Sequence, residues 1–147
     1  MIREFLFNIN DNIGARLSSS GWSGFMVLYM EHEILQKSYD LVKWIYPTVN
    51  KFPKSQRSVL SQRIELLVLS ILSFAIKLNY SDGKTTRKNT MLEIHKLQVL
   101  LRVSKDLSFL SFKQYEYASK ILTEMLKILT EKGDTNENIQ QFIRQNS

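Results

Sequence analysis

An apolar segment near the middle of the chain, residues 66–76, constrains the fold more than any other feature. It carries no charge, and only Ser70 and Ser73 interrupt it. A helix that is apolar on every side is buried on every side, and a single small bundle rarely surrounds one helix so completely. The segment therefore predicts self-association. Its eleven residues fall short of the roughly 20 needed to cross a bilayer, so we expect a cytoplasmic protein with no membrane partner.

The rest of the chain also favours helices. It has 147 residues, the size of one domain, with only five glycines and two prolines, whereas an all-β domain needs frequent turns. Apolar residues recur at helical spacing in four segments, at about 31–51, 56–78, 86–107 and 112–132. The expected core residues include Ile34, Leu41 and Ile45 in the first segment, Leu92, Ile94, Leu97 and Leu101 in the third, and Leu122, Met125 and Leu129 in the fourth. Short connections between four amphipathic helices predict an all-α fold, an antiparallel up-down four-helix bundle.

Local signals place the helix ends. Pro47 is expected to kink the first helix or end it near Tyr46. Ser55 is a plausible N-cap for the second helix, and Ser111 with Gln114 forms a capping-box pattern before the fourth. Gly133 after Lys132 is a C-cap signal.

These ends divide the chain into three parts. Residues 1–29 contain three of the five glycines and no sustained period, so we interpret them as an N-terminal extension outside the fold and expect Met30 to be the natural start. The bundle is predicted over 30–132. Residues 133–147 are predicted to be a C-terminal tail, with one short amphipathic turn around Phe142.

The residues that usually carry chemistry are scarce. The chain has no cysteine, which excludes disulfides, thiol nucleophiles and zinc ribbons. His32 and His95 lie in different segments, and neither belongs to a paired metal-ligand motif. Seven residues separate Arg87 from His95, more than the Arg–His spacing of small helical ribonucleases. We therefore expect no catalytic residue, no metal and no cofactor, and a protein that is not an enzyme.

Positive charge is the strongest functional signal in the residues themselves. The chain carries a formal net charge of +6, and from Lys43 to Lys113 there are 13 basic residues and only four acidic ones. This distribution is consistent with contact to a polyanion or an acidic partner, or with an ordinary solvated basic face. No aromatic is interleaved with the basic face of the third helix or with the cations at the start of the second. That face comprises Lys88, His95, Gln98, Arg102 and Lys105, and the second-helix cations are Lys54, Arg57 and Arg63. We therefore expect phosphate-backbone contacts rather than base stacking. The candidate nucleic-acid and partner-binding residues are Lys54, Arg57, Arg63, Lys96, Arg102 and Lys105.

Three stretches resemble a known family of four-helix bundles. They are residues 44–47 (WIYP), residues 52–65, which contain FPKSQR and QRIE, and residues 100–116 (LLRVSKDLSFLSFKQYE). The family includes the accessory variability determinants of diversity-generating retroelements and proteins encoded in intervening sequences of large ribosomal RNA genes. The third stretch closely resembles the accessory branch, and so do residues 44–47. One departure is residues 127–130 (KILT), where the family often has a Gly-Gly-Trp-like segment.

The resemblance implies a homopentamer of bundles that is not itself a catalyst. Its basic surface would contact the reverse transcriptase of the same retroelement and its template RNA or cDNA, in support of mutagenic reverse transcription and retrohoming. The alternative is an rRNA- or ribosome-associated bundle of the sister branch.

Overall fold

The computed structural model describes residues 21–81 and 83–146. Within these residues the chain forms helices and no strand, which confirms the predicted all-α class. The helices are α1 (Gly21–Val49), α2 (Lys54–Tyr80), α3 (Lys84–Asp106) and α4 (Phe112–Gln145).

The four helices pack as a closed bundle around one core. α2 packs against α1 and α3, and α4 closes the ring by packing against α3 and α1. Lys37 of α1 meets Glu124 of α4 at 2.7 Å, and the rings of Trp44 and Tyr117 lie 5.3 Å apart between the same helices. Each helix contributes fully buried residues at helical spacing, among them Leu41, Ile45, Ile64, Ile71, Ile94, Leu97, Leu101, Leu122 and Met125.

α1 is longer than predicted. It begins at Gly21 rather than near Glu31, and it continues through Pro47 to Val49. Pro47 has no backbone N–H to donate to the carbonyl of Lys43, one turn earlier. The hydroxyl of the next residue, Thr48, donates to the carbonyl of Trp44 at 2.7 Å. The N-terminal residues 1–20, which belong to the predicted extension, lie outside the described residues.

The start of α2 differs from the prediction. The helix begins at Lys54 with Pro53 in the N-cap position and no side-chain cap, so Ser55 is not the N-cap. One α-helical turn is followed by a π-helical segment, Arg57–Ser61, and then by the α-helix Gln62–Tyr80. The buried Ser61 hydroxyl donates to the carbonyl of Val49 at 3.1 Å. This bond supplies a donor to one of the carbonyls that the end of α1 leaves without an intrahelical partner.

α4 confirms one predicted end and corrects the other. The backbone N–H of Gln114 donates to Ser111 Oγ at 3.2 Å, and the backbone N–H of Ser111 donates to Gln114 Oε1 at 2.9 Å, which completes the capping box. Gly133 is not a C-cap, because the helix continues through it to Gln145. The segment after Lys132 is therefore several helical turns rather than one.

α2 is not enclosed on all sides within one chain, contrary to the expectation for residues 66–76. Leu66 is 54% exposed and Leu69 is 42% exposed, although Leu67, Val68 and Ile71 are buried. By length and composition alone, Lys54–Tyr80 could also cross a membrane, a test that core helices of soluble proteins pass as well. The absence of a membrane partner stays a prediction.

Candidate partner-binding surfaces

Two connections of the bundle lie against each other. The ring of Phe52, between α1 and α2, is 5.6 Å from the ring of Phe109, between α3 and α4. Phe52 is 1% exposed, so this contact is part of the core. Within the connection between α3 and α4, the backbone N–H groups of Phe109 and Leu110 both donate to the carbonyl of Ser104, at 2.8 and 3.2 Å. Packing of the two rings thus joins the turns, and the hydrogen bonds to Ser104 stabilise the turn between α3 and α4.

Cations flank this contact from both turns. Residues 51–57 and 102–113 carry six basic side chains and a single acidic one, Asp106. We call the six cations the paired-turn surface: Lys51, Lys54, Arg57, Arg102, Lys105 and Lys113. Four of the six candidate site residues belong to it, although Arg57 and Arg102 are 45 positions apart in the sequence. The contact between Phe52 and Phe109 thus brings the two basic segments to the same end of the bundle.

The internal pairing of the paired-turn surface is weak. The carboxylate of Asp106 lies 2.9 Å from Lys105 Nζ and 3.9 Å from Arg102 Nε, so a single acidic group pairs with two cations. Arg57 Nε donates to the carbonyl of Phe52 at 3.3 Å, which holds the guanidinium beside the turn. Lys54 is exposed and has no ion pair among the described residues. The surface therefore has cations available for an anionic partner.

The other two candidate residues lie in a groove between α2 and α3. This groove has a volume of about 610 Å³ and is lined by Arg63, Leu66, Leu67, Glu93, Lys96, Val99 and Leu100. Lys96 Nζ donates to Glu93 at 2.8 Å, so its charge is partly offset. The side chains of Leu66, 54% exposed, and Val99, 61% exposed, form an apolar floor of the groove. Arg63 and Lys96 thus border an apolar surface rather than a purely ionic one.

The basic face predicted on α3 is less uniform. His95 Nδ1 and Gln98 Oε1 lie 3.2 Å apart, so this histidine interacts with its own helix. Among the described residues, no three His, Cys, Asp or Glu side chains come together as a metal site. The exposed residues of α3 include apolar ones as well, because Leu92, which was expected in the core, is 53% exposed.

Aromatic side chains accompany the cations in space, which the sequence did not indicate. Lys105 Nζ lies 5.2 Å from the centre of the Tyr115 ring. Phe112, the first residue of α4, is 68% exposed one turn before Tyr115. The expectation that no aromatic is interleaved with the cations was therefore wrong for the folded chain. The sequence signal for an exposed aromatic beside the cations was the position of Phe112 between the helix cap Ser111 and the basic Lys113.

Comparison with known proteins agrees with this architecture. A family model described as bAvd-like matches residues 33–132, which include α2, α3, the greater part of α1 and α4, and every candidate site residue. No curated protein and no solved structure matches the chain. Because the family match extends over more than half of the sequence, the chain belongs to the bAvd-like family of accessory proteins.

Proposed function

We propose that this protein is the non-catalytic accessory subunit of a diversity-generating retroelement. In this proposal it binds the reverse transcriptase of the same element and its template RNA or cDNA, and thereby supports mutagenic reverse transcription and retrohoming. The family match favours this role over that of an rRNA-associated bundle. The protein acts in the cytoplasm, without a membrane partner, metal or cofactor.

The observation that carries the proposal is the convergence of cations at the paired turns. Lys54 and Arg57 follow Phe52 in the chain, Arg102 and Lys105 precede Phe109, and the two rings lie 5.6 Å apart. A surface with six cations and one carboxylate attracts phosphate groups, and each phosphate that it neutralises releases counterions. Arg63 and Lys96 add a second basic contact, at a groove whose apolar floor suits protein. Together they offer binding surfaces for both components of a ribonucleoprotein.

We further propose that the helices alternate in direction and that the bundles assemble as a homopentamer. The alternation is supported by the contacts between α1 and α4, because Lys37 meets Glu124 while Trp44 meets Tyr117, so the numbering rises on one helix as it falls on the other. Self-assembly is supported by α2, because only 33% of its most apolar 18-residue segment is buried within one chain. Leu69 is exposed but does not line the groove, so a second copy that covers it can leave Arg63 accessible.

Co-purification with the reverse transcriptase of the same retroelement tests the proposal. The tagged accessory protein is co-expressed with the enzyme, and the double variant Arg63→Glu/Arg102→Glu is compared with the charge-matched control Lys43→Glu/Lys77→Glu. We expect the first variant to lose the enzyme and its RNA while the control retains both. Circular dichroism checks that both variants keep their helicity. Recovery of the enzyme with Arg63→Glu/Arg102→Glu at low salt would show that these residues are not the contacts.

A further inference from the structure

The paired-turn surface combines two features that are rarely neighbours on a solvated helix. One is the excess of cations, six against the single carboxylate of Asp106. The other is a large aromatic ring, Phe112, which remains 68% exposed. Exposed aromatics in isolation are common, so the argument depends on what holds this ring and what surrounds it.

Phe112 is held by the backbone that precedes it. Ser111 and Gln114 close a capping box with two hydrogen bonds, and Leu110, 4% exposed, anchors the turn in the core. The ring therefore extends from a fixed first turn of α4 rather than from a loose loop. Because its backbone is already ordered, only the side-chain rotations of Phe112 lose conformational entropy when another flat group stacks on the ring.

The surroundings of the ring specify the kind of partner. Tyr115, one turn later on α4, is covered by the ammonium of Lys105 at 5.2 Å. Lys113 follows Phe112 directly and is exposed. Proteins that bind single-stranded nucleic acid pair a positively charged path for the phosphates with aromatic rings on which bases stack. In a duplex the bases are stacked on each other and cannot reach such a ring.

We infer that the paired-turn surface is a binding site for single-stranded RNA or DNA, in which Phe112 stacks on a base while Lys54, Arg57 and Lys105 contact the phosphates. This inference deepens the proposed function, on which it rests, by assigning nucleic acid to the paired turns and by naming the single-stranded form. An acidic protein segment would use the cations but would have no base for Phe112.

The experiment separates bases from phosphates. Binding is measured by fluorescence anisotropy with a labelled oligodeoxythymidylate of about 20 nucleotides, with an abasic strand of equal length and with a duplex of the same length. We expect the wild type to prefer the base-containing single strand, and Phe112→Ala to bind that strand about tenfold more weakly. Phe112→Ala should bind the abasic strand as the wild type does, because no base is present to stack. Phe112→Trp should restore the preference.

Phe142→Ala is the matched control. Phe142 lies on the same helix and is equally exposed, at 68%, but it is outside the paired turns, so its replacement should leave all three affinities unchanged. Lys54→Gln/Arg57→Gln tests the phosphate contacts. It should weaken binding to both single strands and reduce the slope of log affinity against log salt by about 0.7 for each phosphate that the variant no longer neutralises.

Each outcome decides a different point. If the Lys54→Gln/Arg57→Gln variant loses affinity but Phe112→Ala does not, the stacking inference is overturned while nucleic-acid binding by the cations stands. If the wild type prefers the duplex, or if polyglutamate displaces the strand as effectively as unlabelled oligodeoxythymidylate, the surface does not select single strands and the inference fails. If the wild type binds no nucleic acid at all, the inference and the nucleic-acid part of the proposed function both fail. Co-purification with the reverse transcriptase would then test what remains.

Discussion

Lys37 of α1 and Glu124 of α4 form a charged hydrogen bond of 2.7 Å between helices that are first and last in the chain. The carboxylate raises the pKa of Lys37 above its ordinary value of 10.5, and the ammonium lowers the pKa of Glu124 below 4.5. Glu33, 3.6 Å from Lys37, adds a weaker attraction within α1. The pair closes the bundle between α1 and α4.

The pH dependence of stability follows from these two shifts. Above pH 4.5 the carboxylate of Glu124 is charged in both the folded and the unfolded chain, and the stabilisation is present. This stabilisation is lost as the pH falls through the pKa of Glu124 in the folded chain, which lies below 4.5. Because the pKa of Lys37 is raised, its contribution is complete below pH 10.5 and is lost as pH rises through the folded value.

Replacing Glu124 with Gln tests this pair. We expect Glu124→Gln to lower the free energy of unfolding at neutral pH, and we expect the difference from the wild type to disappear in strong acid. Urea denaturation over a pH series measures it. Glu116→Gln, on the same helix and without an ion pair among the described residues, should show no such convergence. A Glu124→Gln effect that is constant down to acid pH would contradict the assignment.

Truncation of the core should be costly, and more so than truncation of an exposed residue of the same helix. Leu122 is 0% exposed on α4, whereas Ile139 is 52% exposed. Leu122→Ala removes buried methyl groups and leaves a cavity, for which we expect a loss of about 2–5 kcal/mol in the free energy of unfolding. Ile139→Ala should cost less than about 0.5 kcal/mol. Similar losses at both positions, measured by urea denaturation, would be inconsistent with this core.

The capping box of α4 gives a prediction of its own. Ser111→Ala removes the hydroxyl that accepts from the N–H of Gln114, and we expect the free energy of unfolding to fall by about 1 kcal/mol. Ser111→Asp keeps an acceptor and adds a charge that favours a helix N-terminus, so it should retain wild-type stability. Thermal unfolding followed by circular dichroism distinguishes the two, and equal destabilisation by both would argue against a cap at this position.

Ser108 adopts an uncommon backbone conformation in the turn before α4. Its φ is 63°, in the left-handed region, which is most unfavourable for β-branched residues. We expect Ser108→Val to reduce the free energy of unfolding by about 1–2 kcal/mol, and Ser108→Gly to cause no loss. Thr123→Val, at an exposed position of α4, controls for the effect of valine itself. Tolerance of Ser108→Val would show that this φ is not required.

Self-association through α2 can be tested at Leu69. A charge there cannot be buried against a second copy without a large desolvation cost, so Leu69→Glu should reduce the mass measured by size-exclusion chromatography with light scattering. Tyr80→Glu places a charge at the end of the same helix, where the side chain is 77% exposed, and should leave the mass unchanged. A monomeric wild type, or a Leu69→Glu variant of unchanged mass, would contradict assembly through this surface.

The helical periodicity of the sequence predicted most of the core residues, but the ends of the helices were predicted less well. Ile34, Leu41 and Ile45 of α1 are buried as expected, as are Leu122 and Met125 of α4, because helical spacing decides which side of a helix faces its neighbours. The ends of α1 and α4 were predicted from Gly and Pro, whose local cost is only about 1–3 kcal/mol each. Continuous helix on either side outweighs that cost at Gly133 and Pro47.

The candidate site was predicted as a set of residues but not as a surface. Lys54, Arg57, Arg102 and Lys105 were chosen for their charge, and their convergence depends on the contact between Phe52 and Phe109. That contact joins positions 57 residues apart, and no local sequence pattern predicts a contact over such a separation. Helical spacing likewise placed Leu92 in the core, but how far α2 and α4 cover α3 is a property of packing, and it leaves Leu92 exposed.

The last turns of α4 have a consequence for how the molecule responds to heat and to mutation. All described side chains from Glu137 to Asn146 are exposed, and the ion pair of Glu137 with Lys84 at 2.5 Å connects them to α3. Without burial, their order depends on local helix formation, which is marginal in water for so short a segment. They should therefore fray well before the bundle melts, and their backbone amides should exchange faster than those of the buried helical turns. Substitutions can accumulate in this extension, outside the stretch shared with the family, while the bundle's cooperative unfolding is unaffected.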